Sequence, residues 1–320
     1  MFFEGSEKKA EIIVNNNTFS LLTDLDDGFW QALVARCNAQ ILSCIDNEYC
    51  KAFLLSESSL FVWNDRFLII TCGVTTLVNA IDYFLEQIDQ RHIHHVTYQR
   101  KNEYFSHAQL SCFDEDTKLL AQRIKGKAYR FGEMDSHHNY IFHQDNQYLI
   151  PAEDKSYELL AYQISSPATQ LLTTPGLSPQ CIRDFLSIDD LLPGFLIDDF
   201  VFNPYGYSLN AISKTEYLTI HVTPQAQSSY VSFKSNINLI MLVPQILAAL
   251  QPASFDLLSF NEFNFADQIQ TTINKEYISK SLVSDTLTNG CFVCFANFIK
   301  PQHHYTKPVS LGLTQNSHAL

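Results

Sequence analysis

The chain has 320 residues, 46% apolar and 17% charged, so it can bury a large core, and disorder, collagen and coiled coil are excluded. Its 34 acidic residues against 21 basic ones give a net charge of −13, which repels phosphate backbones and anionic lipid and argues against nucleic-acid or membrane partners. A small cation or another protein is the expected partner. The amino terminus, Met1-Phe2-Phe3-Glu4-Gly5-Ser6-Glu7-Lys8-Lys9, breaks its apolar pair with charge at once and lacks the apolar core of a signal peptide, so the chain is expected in the cytosol. From there the periodicity predicts a helix over 29–37, strands over 52–55 and 66–72, a helix over 75–90 and a strand over 94–99. A helix over 115–124 and strands over 140–143, 147–150 and 157–164 follow, with Asp145-Asn146 read as a hairpin turn. Next come a helix over 179–185, strands over 195–202, 217–222 and 230–233, a helix over 237–250 and a strand over 291–298. Asn203-Pro204-Tyr205-Gly206 reads as a tight turn between strands.

Short strands interleaved with a few helices predict an α+β fold of antiparallel sheets. No Gly/Ser linker divides the chain, so residues 1–320 are read as one domain whose tail, from about residue 303, loses its pattern and is expected to be disordered. The apolar run 239–250 is broken by Pro244 and Gln245 and falls short of the roughly 20 residues that cross a bilayer. Dinucleotide fingerprints, phosphate loops and helix-borne histidine pairs are absent from the sequence. His92, His94 and His95 alternate as in a strand and are expected at the surface or an edge, and Cys291 and Cys294 lack a second pair, so no metal site is predicted. The 8 cysteines are expected as thiols in a reducing compartment.

One segment carries more than composition. Leu54-Leu55-Ser56-Glu57-Ser58-Ser59-Leu60-Phe61-Val62 places a Ser-Glu-Ser-Ser turn between two apolar strands, and Thr71-Cys72-Gly73 closes the next one. Taken alone it is an ordinary serine-rich hairpin whose hydroxyls bond nearby backbone. Further segments accompany it in order: Phe2-Phe3-Glu4-Gly5, Arg100-Lys101-Asn102, Asp189-Asp190-Leu191-Leu192-Pro193-Gly194 and Phe202-Asn203-Pro204-Tyr205-Gly206-Tyr207-Ser208-Leu209-Asn210. Thr219-Ile220-His221-Val222-Thr223-Pro224 and Tyr230-Val231-Ser232-Phe233 complete the set. In these motifs, from the amino terminus to about residue 300, the chain resembles the eukaryotic-type S-adenosylmethionine decarboxylase family.

The resemblance implies a four-layer αββα sandwich of two large antiparallel sheets flanked by helices. It also implies an enzyme that cuts itself between Glu57 and Ser58 and turns Ser58 into a pyruvoyl group. Such a group forms a Schiff base with S-adenosylmethionine and accepts the charge left on Cα when carbon dioxide departs, which ordinary side chains cannot do. Cleavage yields a β chain of 1–57 and an α chain of 58–320, an αβ heterodimer that in this family occurs singly or in pairs. Neither pyridoxal phosphate nor a metal is implied. Carried over by motif, Ser208 and His221 assist the cut, Cys72 returns a proton to the substrate, and Glu7 is tied to activity and processing. Phe3 and Phe202 stack on the adenine, and Glu57 also contacts substrate. Read without the family, each of these has a plainer role as a core ring, a sheet hydroxyl or a buried thiol.

Two departures matter. Gln225 stands where the family has a glutamate that holds both ribose hydroxyls; an amide keeps the hydrogen bonds but loses about 1 kcal/mol of charge assistance. This leaves open a catalytically weak regulatory paralogue that pairs with an active subunit, or a pyruvoyl decarboxylase retuned to another amino acid. Animal members also bind the activator putrescine in an acidic cluster. Glu11 and Asp145 match it, but Ile70 and Lys234 replace a lysine and a glutamate, and Lys234 repels a diamine, so activation by putrescine is not expected.

Overall fold

The computed structural model describes residues 5–225 and 229–301; Phe3 and the tail beyond 301 lie outside the described residues. Two eight-stranded antiparallel sheets form its centre. The first contains β1 (Lys8–Val14), β2 (Ile41–Asp46), β3 (Lys51–Leu55), β4 (Ser58–Val62), β5 (Arg66–Thr71), β6 (Ile93–Lys101), β7 (Gly126–Gly132) and β8 (His138–Gln144). The second contains β9 (Ser156–Tyr162), β10 (Leu196–Val201), β11 (Tyr207–Ser213), β12 (Glu216–Thr223), β13 (Tyr230–Ser235), β14 (Ser254–Phe260), β15 (Ile278–Thr286) and β16 (Phe292–Ile299). Their spatial orders, β2-β3-β4-β5-β1-β6-β8-β7 and β10-β11-β12-β13-β9-β14-β16-β15, are the same permutation, so the two halves repeat one topology.

Helices cover the outer face of each sheet. Asp27–Arg36, Leu77–Gln87 and Phe113–Leu120 pack on the first through Leu33, Val34, Ile81, Phe84 and Leu120. Ser166–Leu172, Pro179–Leu186, Val243–Leu250 and Phe265–Thr272 pack on the second through Leu172, Ile182, Ile246 and Ile269. The helix starts are sequence-coded: the Asp26 carboxylate accepts from the Phe29 N–H at 2.9 Å, and Ser178 caps Pro179–Leu186 with proline in its first turn. The α+β, four-layer arrangement expected from the family motifs is the one observed. No helix among the described residues is long and apolar enough to cross a membrane.

Burial on both faces explains why the inner strands read as continuous apolar runs and not as alternations. The inner faces meet over two apolar patches. Ala52, Phe61, Leu68 and Ile70 meet Ile212 and Tyr217 on one side; Phe131 and Ile141 meet Leu258, Val293 and Phe295 on the other. The seam between these patches is charged. Lys9 meets Glu158 at 2.7 Å, and Lys101 pairs with Asp256 and Lys234 with Glu7, each pair joining one sheet to the other.

The structure corrects several local expectations. Residues 147–150 are not a strand, because Asn146 donates to the His94 carbonyl at 2.8 Å and accepts from the Tyr148 N–H, turning the chain out of the sheet. His95 is not at an edge: β6 lies between β1 and β8, and the ring is buried with Nε2 3.0 Å from Asn289. The helix over 237–250 forms only from Val243, after a short 3-10 turn at Leu239–Met241. Strands β1, β2, β7, β11, β14 and β15 were not legible as strands. In β1 the charges of Lys8, Lys9 and Glu11 mask the pattern, and β15 is an exposed edge.

Phe84 is fully buried against Phe29 and Phe67. Phe84→Ala is expected to cost about 3–5 kcal/mol, read as a lower denaturant midpoint with an unchanged slope.

Candidate active site

Of the residues singled out by motif, Glu57, Ser58, Cys72, Ser208 and His221 come together in the seam. Regular strands send consecutive side chains to opposite faces. At the start of β4 that rule fails. Ser58 has φ +150°, a region essentially reserved for glycine that costs on the order of 1–3 kcal/mol. With the backbone so turned, Ser58 and Ser59 both reach Nε2 of His221, at 2.9 and 3.3 Å. The carbonyl oxygen of Glu57, on the other side of the same peptide bond, accepts two hydrogen bonds from Cys72, from its backbone N–H at 2.8 Å and its Sγ at 3.1 Å.

His221 sits on the inner face of β12. Its register partner on β11 is Ser208, whose Oγ lies 2.8 Å from Nδ1, and Thr219 Oγ1 lies 3.1 Å from Nε2. Burial pushes the imidazole down to about 4, Glu7 opposing and Lys234 assisting, so the ring is neutral at pH 7. In the tautomer that donates Nδ1–H to Ser208, Nε2 is free to accept from Ser58. Ser208 therefore reaches the Glu57–Ser58 bond through His221.

Burial also sets the other titrating groups. It raises the Cys72 thiol well above its usual range, with Glu57 and Glu7 adding to the rise, so Cys72 holds its proton. The Glu57 carboxyl is pushed up to about 7 by burial, with Lys8 opposing. Glu7 just precedes β1 and projects into the seam. Burial raises its carboxyl, but Lys234 and His221 outweigh this and bring it below the usual carboxylate range, helped by a hydrogen bond from Tyr230 at 2.8 Å.

Phe202 and Gln225, expected to face the substrate, lie outside this hydrogen-bonded group. Phe202 is half-buried at the end of β10, and its N–H donates to the carbonyl of Gly206 at 2.9 Å. Gly206 has φ +136°, and a Cβ there would stand 3.4 Å from Phe202 Cβ, so glycine allows this turn to close behind the ring. Gln225 is half-buried beyond the end of β12, its N–H bonded to the Thr223 carbonyl.

Several members of the site were missed. Ser59 and Thr219 contact His221, and Ser59 donates to Asn210 Oδ1 at 2.5 Å. Tyr230, Ser232 and Lys234 grip Glu7. Their signal was present as polar residues at period two, Thr219 with His221 and Tyr230 with Ser232 and Lys234, inside otherwise apolar strands.

The acidic cluster differs from the sequence match. Asp145 is held by Lys125 and Lys127 at 3.2 and 3.3 Å, away from Glu11. The carboxylate that meets Glu11 across a guanidinium is Asp154, with Arg66 at 3.2 Å from Glu11 and 2.7 Å from Asp154. These three residues and Lys9 line a cavity of about 250 Å³. Lys234 lies on Glu7 instead of in this cluster.

Comparison with known proteins places the chain in a family. A model of the adenosylmethionine decarboxylase family matches residues 1–298. The chain is 33% identical to the S-adenosylmethionine decarboxylase proenzyme of Trypanosoma cruzi over 279 residues, 81% of this chain and 75% of the relative. It is 29% identical to that of Drosophila melanogaster over 334 aligned positions, 96% of each. The crystal structure of the Trypanosoma brucei AdoMetDC-delta26 monomer covers 76% of this chain and 99% of its own, with a TM-score of 0.59 and 24% identity, a likeness of fold. The chain belongs to the adenosylmethionine decarboxylase family.

Proposed function

We propose that the chain is a self-processing, pyruvoyl-dependent decarboxylase acting on S-adenosylmethionine in the cytosol, cut into 1–57 and 58–320. The observation that carries this reading is the peptide bond between Glu57 and Ser58, where a strained backbone, a hydroxyl on a neutral histidine and a doubly hydrogen-bonded carbonyl meet.

Each contact suits one step. His221 Nε2 takes the Ser58 hydroxyl proton as Oγ bonds the Glu57 carbonyl carbon. The oxyanion that forms stays on the two Cys72 donors, His221 passes its proton to the departing nitrogen, and the C–N bond breaks to leave an ester, a free Ser58 amine and a neutral histidine. Strain at Ser58 is released as the amide is lost, which favours the forward step. Loss of the Ser58 Cα proton, with His221 the nearest neutral base, expels the Glu57 carboxylate by elimination. Water then replaces the nitrogen, and ammonia leaves.

The surroundings fit the group so made. Ser58 is buried, and Glu57 Oε2 and Asn210 Nδ2 are buried without a hydrogen-bond partner among the described residues, an acceptor and a donor free for a ligand. The pyruvoyl carbonyl supplies the electron sink for decarboxylation. Cys72, fully protonated, holds the proton to be returned to the substrate carbon, and Phe202, with Phe3, offers a ring to the adenine and to the neighbouring sulfonium. Gln225 supports weaker ribose binding than a carboxylate gives.

Intact mass under denaturing conditions is expected to show two chains divided after Glu57, the larger one lighter by ammonia than a serine-ended chain. A single chain of 36.6 kDa overturns the reading and favours a regulatory subunit that pairs with an active paralogue. Because His221 accepts a proton only when neutral, the cleavage rate is expected to hold through neutral pH and fall as pH drops through about 4. Any inflection near 7 belongs to Glu57 and disappears in Glu57→Gln, followed by gel densitometry of a pH series. Since the Arg66 cation is already seated between Glu11 and Asp154 and pairs with both, putrescine is expected to leave carbon dioxide release from S-adenosylmethionine unchanged; a saturable rise in rate refutes that assignment.

A further inference from the structure

Strand β13 offers its alternate residues Tyr230, Ser232 and Lys234 to the seam, while Val231 and Phe233 join the core under the helices. All three inward residues end on one carboxylate of the opposite sheet. Tyr230 donates to Glu7 Oε2 at 2.8 Å, Ser232 to Oε1 at 2.9 Å, and Lys234 pairs with Oε2. Both charges are buried, with side chains 2% and 3% exposed, and Glu7 is the one carboxylate at ion-pair distance from Lys234 among the described residues. Glu158, which faces Lys234 in the β-ladder, is taken by Lys9. Ser232 is in turn the register partner of His221, so the clamp and the histidine occupy neighbouring strands.

We propose that Lys234 is a positioning residue for self-cleavage, anchoring Glu7 across the seam and balancing the charge that faces His221. The proposal rests on the self-processing reading given above. Three lysines and two glutamates line a small cavity of about 10 Å³; Lys9 pairs with Glu158, Lys234 with Glu7 and Lys101 with Asp256 beyond the cavity, so each lysine charge is balanced. Removing the Lys234 charge alone leaves Glu7 as a buried anion with two neutral donors. It then either leaves its position or pulls a proton toward His221, and both outcomes disturb the base that Ser58 needs. Lys234 touches no reacting atom; its influence passes through Glu7.

The test is the cleavage rate of freshly made full-length protein, followed by mass spectrometry, with thermal melting as a check of folding. Lys234→Met is expected to slow cleavage about tenfold or more. Lys234→Arg, which keeps the charge, is expected to stay within about threefold of the parent. In a Glu7→Gln background, Lys234→Met is expected to add less than about threefold, because its partner is already gone. Parental speed in Lys234→Met, failure of Lys234→Arg to restore the rate in a folded protein, or full additivity in the double variant each overturns the proposal. Should Lys234→Met not fold, Glu7→Gln with and without Lys234→Gln decides in its place: equal rates support the role and unequal rates refute it. An uncut parent is a separate result, since it removes the self-processing reading itself before any variant is compared.

Discussion

A peptide bond resists attack by its own neighbouring hydroxyl unless the backbone is held away from its relaxed conformations, and the proposed chemistry depends on such a place at Ser58. The φ of +150° is both a source of strain and a steering device. It breaks the strand alternation that would otherwise point Ser58 and Ser59 to opposite faces, and so brings two successive hydroxyls to one imidazole. The rest of the site follows from that break. His221 is oriented by Ser208 from behind, and the Glu57 carbonyl is held by Cys72 on the next strand.

The second constraint is dielectric. His221 is neutral because it lies in a seam between two sheets that excludes water, and the same exclusion keeps the Cys72 thiol protonated. Charges within such a seam are costly unless paired, and three buried pairs cross from sheet to sheet: Lys9 to Glu158, Lys101 to Asp256, Lys234 to Glu7. These pairs fix how the two halves register on each other. The acidic cluster is held separately, by Arg66 between Glu11 and Asp154, and that cation links the charge pattern of this chain to its expected indifference to putrescine.

Much of the fold was legible locally. The helix at Leu77–Gln87 and the strands at Lys51–Leu55, Arg66–Thr71 and Glu216–Thr223 follow from periodicity and β-branched composition, the strands within one residue at their ends and the helix within three. Other elements escaped for identifiable reasons. Lys8–Val14 carries charges that face a buried polar seam, and nothing in a single strand reveals that another sheet will pair them. The repeated strand order of the two halves was invisible because it is a relation of topology and not of residues. Asp145 was matched to the acidic cluster by gap-free counting, whereas the chain places Asp154 there.

The sequence alone determined the family and the antiparallel α+β architecture, and singled out Glu57, Ser58, Cys72, Ser208 and His221 as candidates, because each sits in a short motif whose residue types are readable in order. Tertiary structure decided what those residues touch. The contacts of Ser58 with His221, and of Glu7 with Tyr230, Ser232 and Lys234, span 163 and 223 to 227 positions and exist only once two sheets are stacked face to face. Proton affinities belong to the same level: an imidazole at about 4 is a property of burial and of opposed neighbouring charges, which no local run of residues encodes.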